Sequence, residues 1–241
     1  IFIFNFTFFG EFLMLLTTCV FDAYGTLFDV NAAARIAAKE PNREKFKEVW
    51  PSVSNQWRLK QLQYTWLRSM THSYTDFWTV TKNSLDYALE SHGLHENFEL
   101  KERLLALYWE LQPYPEVSSM LKKLKTKGIK TAILSNGSPE MLSSAVNSSN
   151  LSDLIDEIIS VEKVKIFKPS SLVYEQIENV IECSKSEVLF VSSNGWDIAG
   201  AAGFGFETAW VNRSKEPIDQ LPDKPKHILR NLEAITSFFD N

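Results

Sequence analysis

The sequence predicts an α/β protein: a parallel sheet with a helical insertion after its first strand. Three observations carry the prediction. Short apolar runs that stop abruptly at polar residues recur along the chain, amphipathic helical stretches separate the later ones, and one long segment shows helical spacing with no β-rich run. Strands that alternate with helices in this way build a Rossmann-like sheet whose ligands bind beyond the strand ends.

The first run, Leu15 to Phe21, ends in Asp22, and Gly25 and Thr26 then turn the chain. A buried parallel strand delivers a side chain to the open end of a sheet in this manner, so Asp22 is placed where ligands bind. From 30 to 112 the apolar residues Trp50, Trp57, Leu62, Trp66, Met70, Phe77 and Trp78, then Leu85, Leu89, Leu104, Leu105, Leu107 and Tyr108, recur at helical spacing. Pro113 and Pro115 punctuate the return to the sheet. The expected division is an α/β core of 14–29 plus 113–241 and a helical cap of 30–112, placed to cover Asp22.

Later runs are Thr131 to Leu134 before Ser135, Val188 to Val191 before Ser192, and Thr208 to Val211 before Asn212. Between them lie helical patterns from Val117 to Lys127, closed by Gly128, and from Ser171 to Glu182. Gly200-Ala201-Ala202-Gly203-Phe204-Gly205 superficially resembles a nucleotide-binding glycine run, but its spacing is wrong and no strand ends directly before it. It is expected to pack a helix closely on the sheet.

The 241 residues are 44% apolar, enough for an ordinary buried core, and the net charge of −5 offers no basic field for nucleic acid. Cys19 and Cys183 have no metal or redox spacing and are expected to be reduced thiols in a cytoplasmic protein. Ile1 to Phe21 is apolar enough to suggest a membrane span or signal peptide, but it lacks a basic leading region and carries Asn5, Thr7 and Glu11. A spanning helix would also deprive Asp22 of its strand. Residues 1–13 are therefore expected to be upstream sequence or a disordered extension, with Met14 the effective start and no membrane partner.

Four blocks in order, Asp22-Ala23-Tyr24-Gly25-Thr26, Trp57-Arg58-Leu59-Lys60-Gln61, Ser135-Asn136-Gly137-Ser138-Pro139 and Ser192-Ser193-Asn194-Gly195-Trp196-Asp197, resemble the haloacid dehalogenase superfamily. Within it the chain is most similar to the L-2-haloacid dehalogenases of type II, from about Leu15 to about Arg213. The resemblance implies the haloacid dehalogenase fold with a cap, a covalent nucleophile at Asp22, and a homodimer. It also implies hydrolysis of small (S)-2-haloalkanoic acids to (R)-2-hydroxyalkanoic acids.

The residue types agree with that chemistry. A phosphate-transferring relative needs a hard cation held by carboxylates and an acid to protonate a departing alkoxide. Here Tyr24 replaces the acid expected two residues after the nucleophile, and Ser192-Ser193-Asn194 stands where metal-binding carboxylates are needed. Halide leaves as a stable anion and requires only donors and cations, so neither metal nor cofactor is expected. By resemblance, Arg58 and Asn136 receive the halide, Phe77 and Trp196 wall the substrate, and Ser135 with the backbone amides of Ala23 and Tyr24 holds its carboxylate. Thr26 orients Asp22, Lys168 keeps it ionised, and Asn194 and Asp197 prepare the attacking water. Tyr174 and Ser192 lend hydrogen-bonding support around the substrate.

Departures are mild: Ala23 replaces a larger aliphatic residue, Phe167 a frequent tyrosine, and Gly195 a frequent alanine. Two rivals stand beside this reading, a magnesium-dependent phosphatase of the same superfamily and an idle binding protein on the same scaffold. Joint retention of Asp22, Lys168, Asn194 and Asp197 argues against the second.

Overall fold

The computed structural model describes residues 15–240. The expectation for residues 1–13 lies outside them. Six parallel strands, β1 (Thr18–Phe21), β2 (Lys130–Ser135), β3 (Glu157–Ser160), β4 (Val188–Ser192), β5 (Glu207–Val211) and β6 (His227–Leu229), form one sheet in the order β3-β2-β1-β4-β5-β6. β1 is central, and every residue in it is buried. Its last residue, Phe21, is level with Ile133 of β2 and Val191 of β4, so the polar residues that follow these three strands emerge at one edge. The chain reverses direction across the sheet on either side of β1, which opens the crevice where such sheets bind ligands.

The first strand is shorter than the apolar run that predicts it. Leu15 is 54% exposed, and the ladder begins where Lys130 N–H donates to the Thr17 carbonyl. β3 and β6 have no counterpart in the sequence prediction. Both are edge strands with a solvent-facing isoleucine, Ile158 at 36% and Ile228 at 50% exposure, so neither shows a continuous apolar run.

Between β1 and β2 lie α1 (Ala32–Ala37), α2 (Glu44–Met70), α3 (Phe77–Ser91), α4 (Phe98–Trp109) and α5 (Val117–Thr126). The first four occupy the segment of helical spacing. Asp29 N–H donates to the Gln112 carbonyl at 2.9 Å and Tyr114 N–H to the Leu27 carbonyl at 2.9 Å, so the chain leaves and re-enters the sheet layer at one place. Asp76 caps α3 by accepting from Thr79 N–H at 2.8 Å, which fixes the first turn where Phe77 stands. Trp57, Phe77, Leu85 and Leu104 face inward as their spacing predicts, whereas Met70 is 76% exposed because α2 ends there.

After β2 come α6 (Pro139–Ser148), α7 (Ser171–Ile181) and α8 (Gly195–Phe204). Ser138 caps α6 and Pro139 opens it, so the helix starts immediately after the Asn136-Gly137 turn. The glycine run lies in α8, which packs on β4 and β5 as expected, and the run's tightest glycine contact is on the side facing α7. A Cβ on Gly200 would fall 2.6 Å from the Tyr174 hydroxyl and 2.7 Å from Pro169, so the missing side chain lets α8 approach α7 and the loop before it. Among the described residues, no helix is long and apolar enough to cross a membrane.

Candidate active site

Asp22 stands at the end of β1 and is 6% exposed. The turn behind it depends on Gly25, whose φ of 91° favours glycine. Thr26, brought back by that turn, donates from Oγ1 to Asp22 Oδ2 at 3.0 Å, and Asn194 Nδ2 donates to the same oxygen at 2.9 Å. Lys168 Nζ meets Asp22 Oδ1 at 3.1 Å and, on its other side, Asp197 Oδ2 at 2.9 Å. Lys168 and Asp197 are 1% and 0% exposed.

This buried group of two carboxylates and one ammonium sets the local electrostatics. Burial pulls the Lys168 pKa down, but the charges and hydrogen bonds of Asp197 and Asp22 outweigh it and hold the ammonium above the ordinary lysine value. Burial pushes the Asp197 carboxyl above the ordinary aspartate value, and the charge of Asp22 adds to the rise against the pull of Lys168. The pair is thus a firmly protonated lysine beside an aspartate more basic than one in water.

The supporting residues lie one step further out. Tyr174 is fully buried, and its hydroxyl donates to Asp197 Oδ1 at 2.8 Å. Ser192 ends β4, and its Oγ accepts from Asn194 N–H at 3.1 Å. Both lend hydrogen bonds to the centre, Tyr174 through Asp197 and Ser192 through Asn194. Ser135 Oγ accepts from Gly137 N–H at 3.1 Å, and Asn136 Oδ1 accepts from Lys168 N–H at 3.0 Å, which leaves the Asn136 amide nitrogen to donate elsewhere.

Arg58 reaches in from α2. It donates from Nη1 to Gln61 Oε1 at 2.9 Å, and from Nη2 to the Tyr24 carbonyl at 3.3 Å and Asn194 Oδ1 at 3.4 Å. Phe77 is 1% exposed and lies against Tyr24, with ring centres 5.8 Å apart. Ala23 is fully buried, and Trp196 meets Trp66 edge-on at 5.4 Å. An apolar groove of about 560 Å³, lined by Trp66, Met70, Phe167, Trp196 and Leu221, runs past Lys168.

Several contributors have no role assigned from the sequence, although Gln61 and Ser193 stand inside two of the four motif blocks. Gln61 anchors Arg58 from three residues along the same helix face, a spacing that places both on one side of α2. Arg213 donates from Nη2 to the Thr26 carbonyl at 3.2 Å and pairs through Nη1 with Glu116 Oε1 at 2.6 Å. Ser193 N–H donates to Thr26 Oγ1 at 2.8 Å. No periodicity relates residues brought together from distant strands.

The family model for haloacid dehalogenase-like hydrolases matches residues 16–205. (S)-2-haloacid dehalogenase 1 of Pseudomonas sp. (strain CBS-3) is 44% identical over 217 residues, covering 90% of this chain and 93% of the relative. The chain belongs to the haloacid dehalogenase-like hydrolases, among the (S)-2-haloacid dehalogenases. (S)-2-haloacid dehalogenase 4A of Burkholderia cepacia is 40% identical over 220 residues, 91% of this chain and 93% of that one. Among solved structures of the family, the L-2-haloacid dehalogenase of Xanthobacter autotrophicus with chloropropionic acid covalently bound superposes with a TM-score of 0.80. It is 35% identical and covers 92% of this chain and 98% of its own.

Proposed function

We propose that this protein hydrolyses small (S)-2-haloalkanoic acids to (R)-2-hydroxyalkanoic acids and halide, through an ester on Asp22. The observation that carries the reading is the placement of Lys168 Nζ between Asp22 and Asp197, at 3.1 Å and 2.9 Å. One carboxylate is oriented for attack beside the ammonium, and a second, raised above the ordinary aspartate value by burial, stands on its other side to activate water. The chloropropionic acid held covalently by the Xanthobacter relative supports the same route.

In the first step an Asp22 oxygen attacks C2 from behind the carbon–halogen bond. Arg58 and the free amide of Asn136 receive the halide, while Ser135 and the amides of Ala23 and Tyr24 hold the substrate carboxylate. Phe77 and Trp196 wall the site. In the second step Asp197, with Asn194, deprotonates a water that attacks the Asp22 carbonyl, so the carbon inverted by the first step is left alone. Thr26, Tyr174 and Ser192 keep these groups in place.

Helices α1 to α4 act as a cap over a core made of the rest of the chain. No metal enters the reading: both carboxylates share one ammonium, and Tyr24 stands where a second acid is needed. A cytoplasmic homodimer belongs to the same reading, supported by the free thiols of Cys19 and Cys183 and by Leu59, Leu67 and Met70 exposed along α2. Chiral analysis of the product from (S)-2-chloropropionate tests the proposal. (R)-lactate with stoichiometric chloride is expected, and (S)-lactate rules out single displacement at C2.

A further inference from the structure

Tyr24 carries a hydroxyl that the steps above leave unused. The residue is 3% exposed, and its Oη is buried with no hydrogen-bond partner among the described residues. Buried hydroxyls are ordinarily partnered, because leaving water without a replacement bond is unfavourable, so an orphan in a reaction centre points to a group that arrives with the ligand.

The ring is fixed on three sides. It stacks on Tyr108 with centres 5.6 Å apart and planes at 19°, meets Phe77 at 5.8 Å, and lies against Gly137. A Cβ on Gly137 would come within 2.8 Å of the ring and 3.1 Å of Oη. The hydroxyl therefore lies where β2 ends, next to the residue that follows Asn136. Arg58 donates to the backbone carbonyl of the same residue at 3.3 Å. Burial first, then the nearby Tyr108 and Asp22, push the phenol well above its ordinary pKa against the pull of Arg58, so it keeps its proton and remains a donor.

We propose that the Tyr24 hydroxyl is a third donor to the departing halide, beside Arg58 and Asn136. This inference rests on the dehalogenase reading above. As the Asp22 oxygen bonds to C2, the carbon–halogen bond breaks and its electron pair leaves with the halide. Tyr24 keeps its proton and contributes a hydrogen bond to the new anion.

The test is Tyr24→Phe, followed by single-turnover alkylation of Asp22 with (S)-2-chloro-, 2-bromo- and 2-iodopropionate. Alkylation should slow about tenfold for the chloride, less for the bromide and least for the iodide, because the smaller anion accepts the stronger bond. Hydrolysis of the ester should keep its rate. Tyr108→Phe removes a neighbouring hydroxyl already within 3.1 Å of Gln61 Nε2 and should show no halogen dependence. The melting temperature of Tyr24→Phe should not fall, since an unpartnered buried hydroxyl is lost. An equal loss for all three halogens, a loss confined to KM, or a lowered melting temperature would overturn the proposal. Wild-type protein that releases none of the three halides would refute the dehalogenase reading itself, and this inference with it.

Discussion

The Asn194 side-chain amide donates to Asp22 Oδ2 at 2.9 Å, joining the residue before α8 to the end of β1. With Thr26 on the same oxygen and Lys168 on the other, the carboxylate is bonded at both ends before any substrate enters. Such fixed donors hold the carboxylate in one orientation and cost no reorganisation during attack.

The first prediction follows from that surround. In Asp22→Asn a carboxamide offers one acceptor where two are now used, and it turns its own N–H groups toward a donor. The amide is also a poor nucleophile. Halide release should fall below about 1% of wild type, with the fold retained. Halide assays, with mass spectrometry of the Asp22 peptide to exclude deamidation, check this; turnover well above that level would mean that water displaces the halide directly.

In the proposed route Asp197 divides the two half-reactions. It touches Lys168 and Tyr174, and in the proposed route it acts only on water, so Asp197→Asn should alkylate Asp22 and stall. Mass spectrometry after mixing with 2-chloropropionate should find a persistent adduct on the Asp22 peptide. In the wild type the base must be deprotonated, and the Asp197 pKa lies above the ordinary aspartate value of 3.8, so the acid limb of ester hydrolysis should shift upward from that value. Rapid-quench measurements of adduct decay across pH check this. Decay that holds its rate down to the ordinary value would assign the base elsewhere.

How far the sequence reveals this site depends on what each residue borrows from its neighbours. Asp22, Ser135 and Ser192 are legible because each terminates a buried strand, and the abrupt change from apolar to polar is local. Lys168 has no such mark. Its loop sits between β3 and α7, and only resemblance attaches it to Asp22, which lies 146 residues away. Arg213 escapes entirely, and Gln61 lies in a motif block without a role of its own, since each acts on a residue that acts on another. The edge strands β3 and β6 escape for a related reason: solvent on their open side leaves no apolar run to count.

Gly200 ties the packing of α8 to the chemistry. A methyl group at that position would lie 2.6 Å from the Tyr174 hydroxyl, which is the group bonded to Asp197. Gly200→Ala should therefore cost about 1–3 kcal/mol in stability and shift Tyr174 off its partner. Urea denaturation measures the first effect, and ester-hydrolysis kinetics the second, with alkylation less affected. A variant of unchanged stability and deacylation rate would mean that the helix adjusts without moving Tyr174.

The last prediction separates the dehalogenase reading from a phosphatase of the same fold. A phosphatase needs a cation shared by carboxylates and an acid for the leaving alkoxide. Here Lys168 Nζ bridges the two buried carboxylates, and the residue two beyond Asp22 is Tyr24, packed between Phe77 and Tyr108. Halide release from (S)-2-chloropropionate should run at an unchanged rate in excess EDTA, and p-nitrophenyl phosphate should remain intact with added magnesium. Metal-dependent phosphate release without halide would reverse the assignment. Silence in both assays would favour a binding protein, despite the buried Asp22–Lys168–Asp197 bridge. The assay decides what the fold cannot, because the sheet and its crevice serve either chemistry, and only the side chains at the strand ends differ.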